Sequence, residues 1–217
     1  MAEITAALVK QLRERTGAGM MECKKALVES KGDLDGGEVL LRKWGIASAG
    51  KKASRSTKQG LIGTYIHAGG QLGVMVEIDC ESDFVARTGD FKEMVHDISM
   101  HIAATDPRFI RKEDVTQEAI DKERDIQIAR AINEGKPPAV AEKMVEGRLN
   151  KFYEEICLLE QPFVKEPAMS VGQFVKTRIA KLGENITVAR FVRFKVGETT
   201  MDMNPAEPGG EEKAADR

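Results

Sequence analysis

A chain of 217 residues, 41% hydrophobic and 31% charged, is long enough for one sizeable core or two small ones. A net charge of −2 and a pI near 6.0 give no polyanion-binding signature, so no nucleic-acid partner is expected. No segment approaches the roughly 18 apolar residues of a membrane span, and the N-terminus MAEITAALVKQLRERTG is too charged and evenly amphipathic for a secretory signal. Cys23, Cys80 and Cys157 are scattered and odd in number. They read as reduced thiols of a cytoplasmic protein, not as a disulfide frame or zinc site.

In chain order, Ile4, Leu8 and Leu12 form one helical stripe, which TGAG at 16–19 ends. A second helix is predicted over MMECKKALVES, stopped by KGD, and Asp33 is placed to cap a third over LDGGEVLLRKWG. These helices make a miniature domain over 1–47. SAGKKASRSTKQ (48–59) lacks apolar periodicity and reads as a linker; its Lys51, Lys52, Arg55 and Lys58 are either solvated or touch phosphates.

LIGTYIH and LGVMVEID flank the Gly-containing turn AGGQ (68–71) and predict a hairpin. DFKEMVHDISMHIAA (90–104) places Phe91, Met94, Val95, Ile98 and Ile102 on one helical face, and Asp106-Pro107 ends that helix. Much later, NITVARFVRFKV (185–196) predicts a third strand with Val188, Val192, Phe194 and Val196 on one side. A hairpin, a helix and a returning strand give a compact α+β core, assigned to 60–113 and 161–197. The excursion over 114–160 is helical on both sides of GKPP. Val145, Leu149, Phe152, Ile156 and Leu159 follow a heptad seam, and Val115, Ala119, Ile126 and Ala129 fit the same period, with Lys122 filling one slot. The expectation is a protruding antiparallel coiled-coil hairpin. The last residues, 198–217, are polar, acidic and Pro/Gly-rich and are expected to be disordered.

Catalytic chemistry is hard to find. The chain has no P-loop, dinucleotide glycine fingerprint, HExxH or GxSxG, so it reads as no enzyme, with no catalytic residue, no cofactor and no metal. His96 and His101 are five apart on a helix, a poor spacing for a shared ion. Cys80 is a nucleophile or a packed core thiol; no cation adjoins it in sequence to lower its pKa. Apolar residues in unusual places are more informative. Met20 and Met21 open a helix, and adjacent residues there point about 100° apart, so both cannot easily face one small core. One of them closes the helical domain, or both are contact material. In CESDFVAR (80–87) Phe84 sits beside Asp83 at a helix start. The ring staples the helix to the sheet, or it probes a partner's pocket.

Three stretches, MAEITAALVKQLRERTGAGMMECKKAL, C-x-S-D-F-V-A-R and KPPAVAEKMVEGRLNKFYEEICLLEQPFVKE, resemble bacterial elongation factor Ts, with the likeness running from Ala2 to about Val196. The resemblance implies guanine-nucleotide exchange on the GTPase elongation factor Tu. It also implies a ubiquitin-associated-like (UBA-like) fold for the N-terminal helices and a coiled coil. Ser82, Asp83, Phe84 and Val85 match a motif that pushes between helices of the GTPase and dislodges its magnesium ion. Ser82 stands where the family usually has threonine and keeps the hydroxyl. Arg13, Met20 and Met21 match residues that dock on the nucleotide domain, and His67 matches a contact to another domain of the partner. Longer members have two related core halves. This chain resembles the short, single-core form, for which a homodimer is expected. The alternatives are a scaffold module that grips a partner through the helical hairpin, an RNA-binding protein using 48–59, and a thiol enzyme at Cys80.

Overall fold

The two alternating runs around AGGQ pair with each other. In the computed structural model, which describes residues 4–198, β1 (Gln59–Ile66) and β2 (Leu72–Cys80) are antiparallel, with Gln59 opposite Cys80 and Ile66 opposite Gly73. β5 (Ile186–Lys195) lies antiparallel on the other side of β2, giving the order β1-β2-β5. The architecture is α+β around a small antiparallel three-stranded sheet. Apart from Glu198, the acidic tail expected over 198–217 lies outside the described residues.

One face of the sheet carries the core. Val74, Val76, Ile78 and Cys80 point to it from β2, and α5 (Gly89–Thr105) covers it with Phe91, Met94, Val95, Ile98 and Ile102. The helix lies flush on β1 because Gly63 has no side chain: a Cβ there would come 2.2 Å from Val95 Cγ1. α8 (Val171–Leu182) adds Val171, Phe174, Val175 and Ile179 to the same core. This helix was not anticipated from the sequence, although SVGQ (170–173) is its signature. Ser170 Oγ accepts from the Gln173 N–H and Gln173 Oε1 from the Ser170 N–H, a capping box. A two-stranded hairpin, β3 (Pro162–Phe163) with β4 (Glu166–Ser170), leads into it, and the Phe163 ring stacks on Phe174 at 4.3 Å.

One expectation about the sheet faces needs correction. The alternation of β5 is broken by an irregularity opposite Glu77 and Ile78, where Val188 pairs with Ile78 but Arg190 with Glu77, leaving Ala189 as the extra residue. Ile186 and Val188 therefore face the core, whereas Val192, Phe194 and Val196 belong to the opposite face. Leu61, Val74 and Val76 are covered by core helices, whereas Ile62 points outward.

The N-terminal segment forms α1 (Ala6–Thr16), α2 (Met20–Glu29) and α3 (Leu34–Lys52). Leu12, Cys23, Ala26 and Leu27 are fully buried among them. Thr5 and Asp33 cap α1 and α3 through their side-chain oxygens. The stretch read as a linker from residue 48 is helical to Lys52. Gly50 disfavours a helix in IASAGKK (46–52), but packing extends it: Ala49 enters the main core, and a Cβ at Gly45 would lie 2.7 Å from that of Ala180 on α8. The small helical unit is thus seated on the core.

α6 (Gln117–Asn133) and α7 (Pro138–Ile156) pack against each other. α7 buries Ala141, Val145, Leu149 and Ile156 along the expected seam, but in α6 Ile126 and Ala129 are exposed. Partly buried Gln127 and buried Ala131 turn inward instead, and Arg148 bonds Gln127 and Glu134. A seam with a polar middle hides its period from an apolar count. The expected end at residue 160 also takes in Leu158, which lies in the main core.

At the base of this pair His101 is wholly buried. Its Nδ1 accepts from the Val164 N–H at 3.3 Å, so Nε2 carries the proton and donates to Gln161 Oε1 at 3.0 Å. Burial pushes the imidazole below its ordinary value, with the Gln161 bond opposing in part. The unfolded chain then binds a proton near pH 6.5 that the folded chain refuses. Stability is therefore full above that pH and declines as pH falls through it towards the depressed folded value. The thermal unfolding midpoint should drop between about pH 7 and 5, and His101→Gln should flatten that slope; an unaltered slope in the variant would contradict the assignment.

Candidate partner-binding site

At the end of β2 the chain passes from a fully buried Cys80 to an exposed aromatic in four residues. Ser82 is the N-cap of α4 (Asp83–Ala86), its Oγ accepting from the Val85 N–H at 3.4 Å. Adjacent helical positions diverge by about 100°. Ala86 is buried and Val85 packs on the core, so Phe84 is turned out, 79% exposed. The ring does not staple the helix to the sheet; Val85 and Ala86 do. Asp83 is beside it, its Oδ2 2.9 Å from Arg87 Nη2, a surface pair worth about 1 kcal/mol or less. Thr88 closes the turn by donating to the Val85 carbonyl at 2.8 Å and caps α5 through the Phe91 N–H.

Two features of this site were not foreseen. Glu184, about a hundred residues away in sequence, accepts from the Glu81 and Ser82 N–H groups and from Ser82 Oγ. Asn185 donates to the Ala53 and Arg55 carbonyls. The pair stands in LGEN (182–185), where no local pattern marks it.

Met20 and Met21 are 55% and 76% exposed. Neither closes the helical domain, since Cys23, Ala26 and Leu27 take that face of α2. Arg13 is exposed on α1. The N-terminal unit thus holds two flexible apolar side chains and a cation in water. His67 lies elsewhere. It sits in the β1–β2 turn, with Nδ1 3.0 Å from the Tyr65 hydroxyl. That is the far end of an eight-residue strand from Cys80, about 23 Å along the hairpin. His67 is therefore not part of one patch with Phe84.

The opposite face of the sheet is a third apolar surface. Ile62 and Ile66 of β1, Met75 of β2 and Phe194 of β5, with Val196 beyond its end, are all exposed there. Glu77 and Arg190 pair beside Ile62 on this face, so the apolar cluster proper is Ile66, Met75, Phe194 and Val196, a kind of patch that monomeric proteins rarely leave in water.

Comparison with known proteins gives one consistent result. The family model described as elongation factor TS matches residues 48–198. The chain is 74% identical over 216 residues to elongation factor Ts of Solibacter usitatus, covering 100% of both chains. It is 60% identical to that of Koribacter versatilis over 213 residues, 97% of each, and 57% identical to that of Carboxydothermus hydrogenoformans over 195 residues, 90% of each.

The thiols offer a check on the competing idea of nucleophilic chemistry. All three cysteines are fully buried. Burial pushes Cys23 and Cys80 up, with neighbouring carboxylates adding to it, and pushes Cys157 to about 11. Since the thiolate is the reactive form, iodoacetamide at neutral pH should leave the folded protein unlabelled and modify all three cysteines only after unfolding, as read by mass spectrometry. Selective labelling of Cys80 in the native protein would contradict this.

Proposed function

The chain belongs to the elongation factor Ts family and acts in translation elongation as a guanine-nucleotide exchange factor for elongation factor Tu, and we propose that Asp83 and Phe84 form the wedge that drives exchange. The observation that carries this is the exposure of Phe84 on a helix whose other side is fixed in the core. A large aromatic held in water stabilises nothing in its own chain; its burial free energy is released only in a partner. If that pocket opens when the GTPase loses its nucleotide and magnesium, the factor binds the empty state better than the loaded one. Linkage then weakens nucleotide binding by the same factor. Burying a Phe contributes about 1.5–3 kcal/mol, a factor of roughly ten to a hundred. The ring therefore cannot act alone. Asp83 brings a carboxylate to the same place, and Arg13, Met20 and Met21 hold the GTPase from the N-terminal unit.

No bond is made or broken in this scheme, so the factor is not an enzyme in the covalent sense. It needs no cofactor, nucleic acid or membrane of its own, and a role in translation elongation places it in the cytoplasm. Among the described residues no helix is long and apolar enough to cross a membrane. The three N-terminal helices are assigned as the UBA-like domain and α6–α7 as the coiled-coil hairpin, in keeping with the family.

We further assign a homodimer. What supports it is the exposed apolar cluster of Ile66, Met75, Phe194 and Val196 on the outer sheet face, which draws on all three strands. A second copy covers it best, in an isologous contact. His67, at one end of that face, would then lie near the partner chain and not near its own Phe84.

Phe84→Ala should leave the unfolding midpoint unchanged and slow release of fluorescent GDP from elongation factor Tu roughly ten- to hundredfold. A melted fold, or undiminished release, would refute the wedge. Light scattering at micromolar concentration should give twice the 23.9 kDa chain mass. A monomer with full exchange activity would refute the dimer.

A further inference from the structure

The turn between α8 and β5 is tied to the wedge by an exchange of side chains. Glu184 Oε2 accepts from the N–H groups of Glu81 at 3.1 Å and Ser82 at 2.9 Å, and Oε1 accepts from Ser82 Oγ at 2.6 Å. In return Glu81 Oε1 accepts from the Asn185 N–H at 2.6 Å. Asn185 is buried and its amide donates to Ala53 O at 3.3 Å and Arg55 O at 2.8 Å. Close by, the hydroxyls of Thr57 and Thr187 meet at 2.9 Å. The loop before α4, the segment leading from α3 and the start of β5 are thus knotted together at two residues.

The Ser82 hydroxyl shows what the knot accomplishes. It has one proton, which it donates in a hydrogen bond to Glu184 Oε1. A lone pair of Ser82 Oγ is then left facing the first turn of α4, where the Val85 N–H donates to it. Glu184 therefore orients the cap as well as holding the two peptide N–H groups before it. A four-residue helix has little stability of its own. The direction of Phe84 is set by these bonds together with the anchoring of Val85 and Ala86.

We propose that Glu184 is a positioning residue for nucleotide exchange, acting through Ser82 to fix the direction of the Phe84 ring. The proposal rests on the wedge assignment above. Without Glu184 the ring still binds, but in many directions, so the loss falls on the rate at which the bound complex expels GDP and much less on its formation.

The test is stopped-flow release of fluorescent GDP from elongation factor Tu at increasing factor concentration, for the parent chain, Glu184→Ala, Phe84→Ala and the double variant. Glu184→Ala should lower the maximal release rate about five- to twentyfold, with half-saturation within about twofold of the parent. In the Phe84→Ala background the same change should cost almost nothing further, because the residue acts through the ring. Equal losses with and without Phe84, a loss confined to half-saturation, or an unchanged maximal rate would overturn the proposal. If Glu184→Ala does not unfold cooperatively, Glu184→Asp takes its place, with its carboxylate retracted by about 1.5 Å and the same expectation. Phe84→Ala with a normal rate would defeat the wedge itself; impaired Phe84→Ala with normal Glu184 variants would defeat this inference alone.

Discussion

A single turn of helix does not persist in water by itself, because closing it fixes several dihedrals for one hydrogen bond. Everything that makes α4 (Asp83–Ala86) useful is therefore external to it. Ala86 and Val85 anchor it to the core, Ser82 caps it, and Thr88 joins it to the next helix. The outcome is an apolar ring held outward by a rigid base. A Phe in a flexible loop would expose similar area but would lose part of its binding free energy to ordering.

The rest of the fold reads as support for that base. β2 (Leu72–Cys80) is paired on both sides and buried on one face, and α4 follows it after two residues. α5 (Gly89–Thr105) begins almost at once and locks into the same core through Phe91. The N-terminal helices are seated on α8 (Val171–Leu182) by the close approach of Gly45 and Ala180. Arg13, Met20 and Met21 are thereby carried on the body that also carries Phe84. The proposed two-point grip would depend on that coupling, since a single Phe contact is worth only about 1.5–3 kcal/mol.

Much of this was legible in the sequence where the signal is local. The hairpin, the third strand and the amphipathic helix over 90–104 follow from period and turn chemistry. The exposed ring was suspected from an aromatic next to an acid at a helix start, and Ser82 from its place before that helix. What was missed depends on contacts distant in sequence. Glu184 is an ordinary surface glutamate until Glu81 and Ser82 come to it. The extra residue at Ala189 reverses the facing of β5, and alternation alone cannot show where a count slips. α3 (Leu34–Lys52) runs past its apolar stripe because α8 receives it. α8 is the exception, since its start is marked locally by the capping box of Ser170 and Gln173.

The central claim is that the Phe84 ring leaves water when elongation factor Tu gives up its nucleotide. The most direct measurement is the fluorine spectrum of the chain carrying 4-fluorophenylalanine at position 84, recorded alone, with nucleotide-free elongation factor Tu, and after adding GDP and magnesium. The account predicts a resonance that shifts and becomes solvent-shielded in the nucleotide-free complex and returns to its free position when GDP and magnesium dissociate the complex. A complex that forms while the resonance stays at its solvent-exposed position would contradict it.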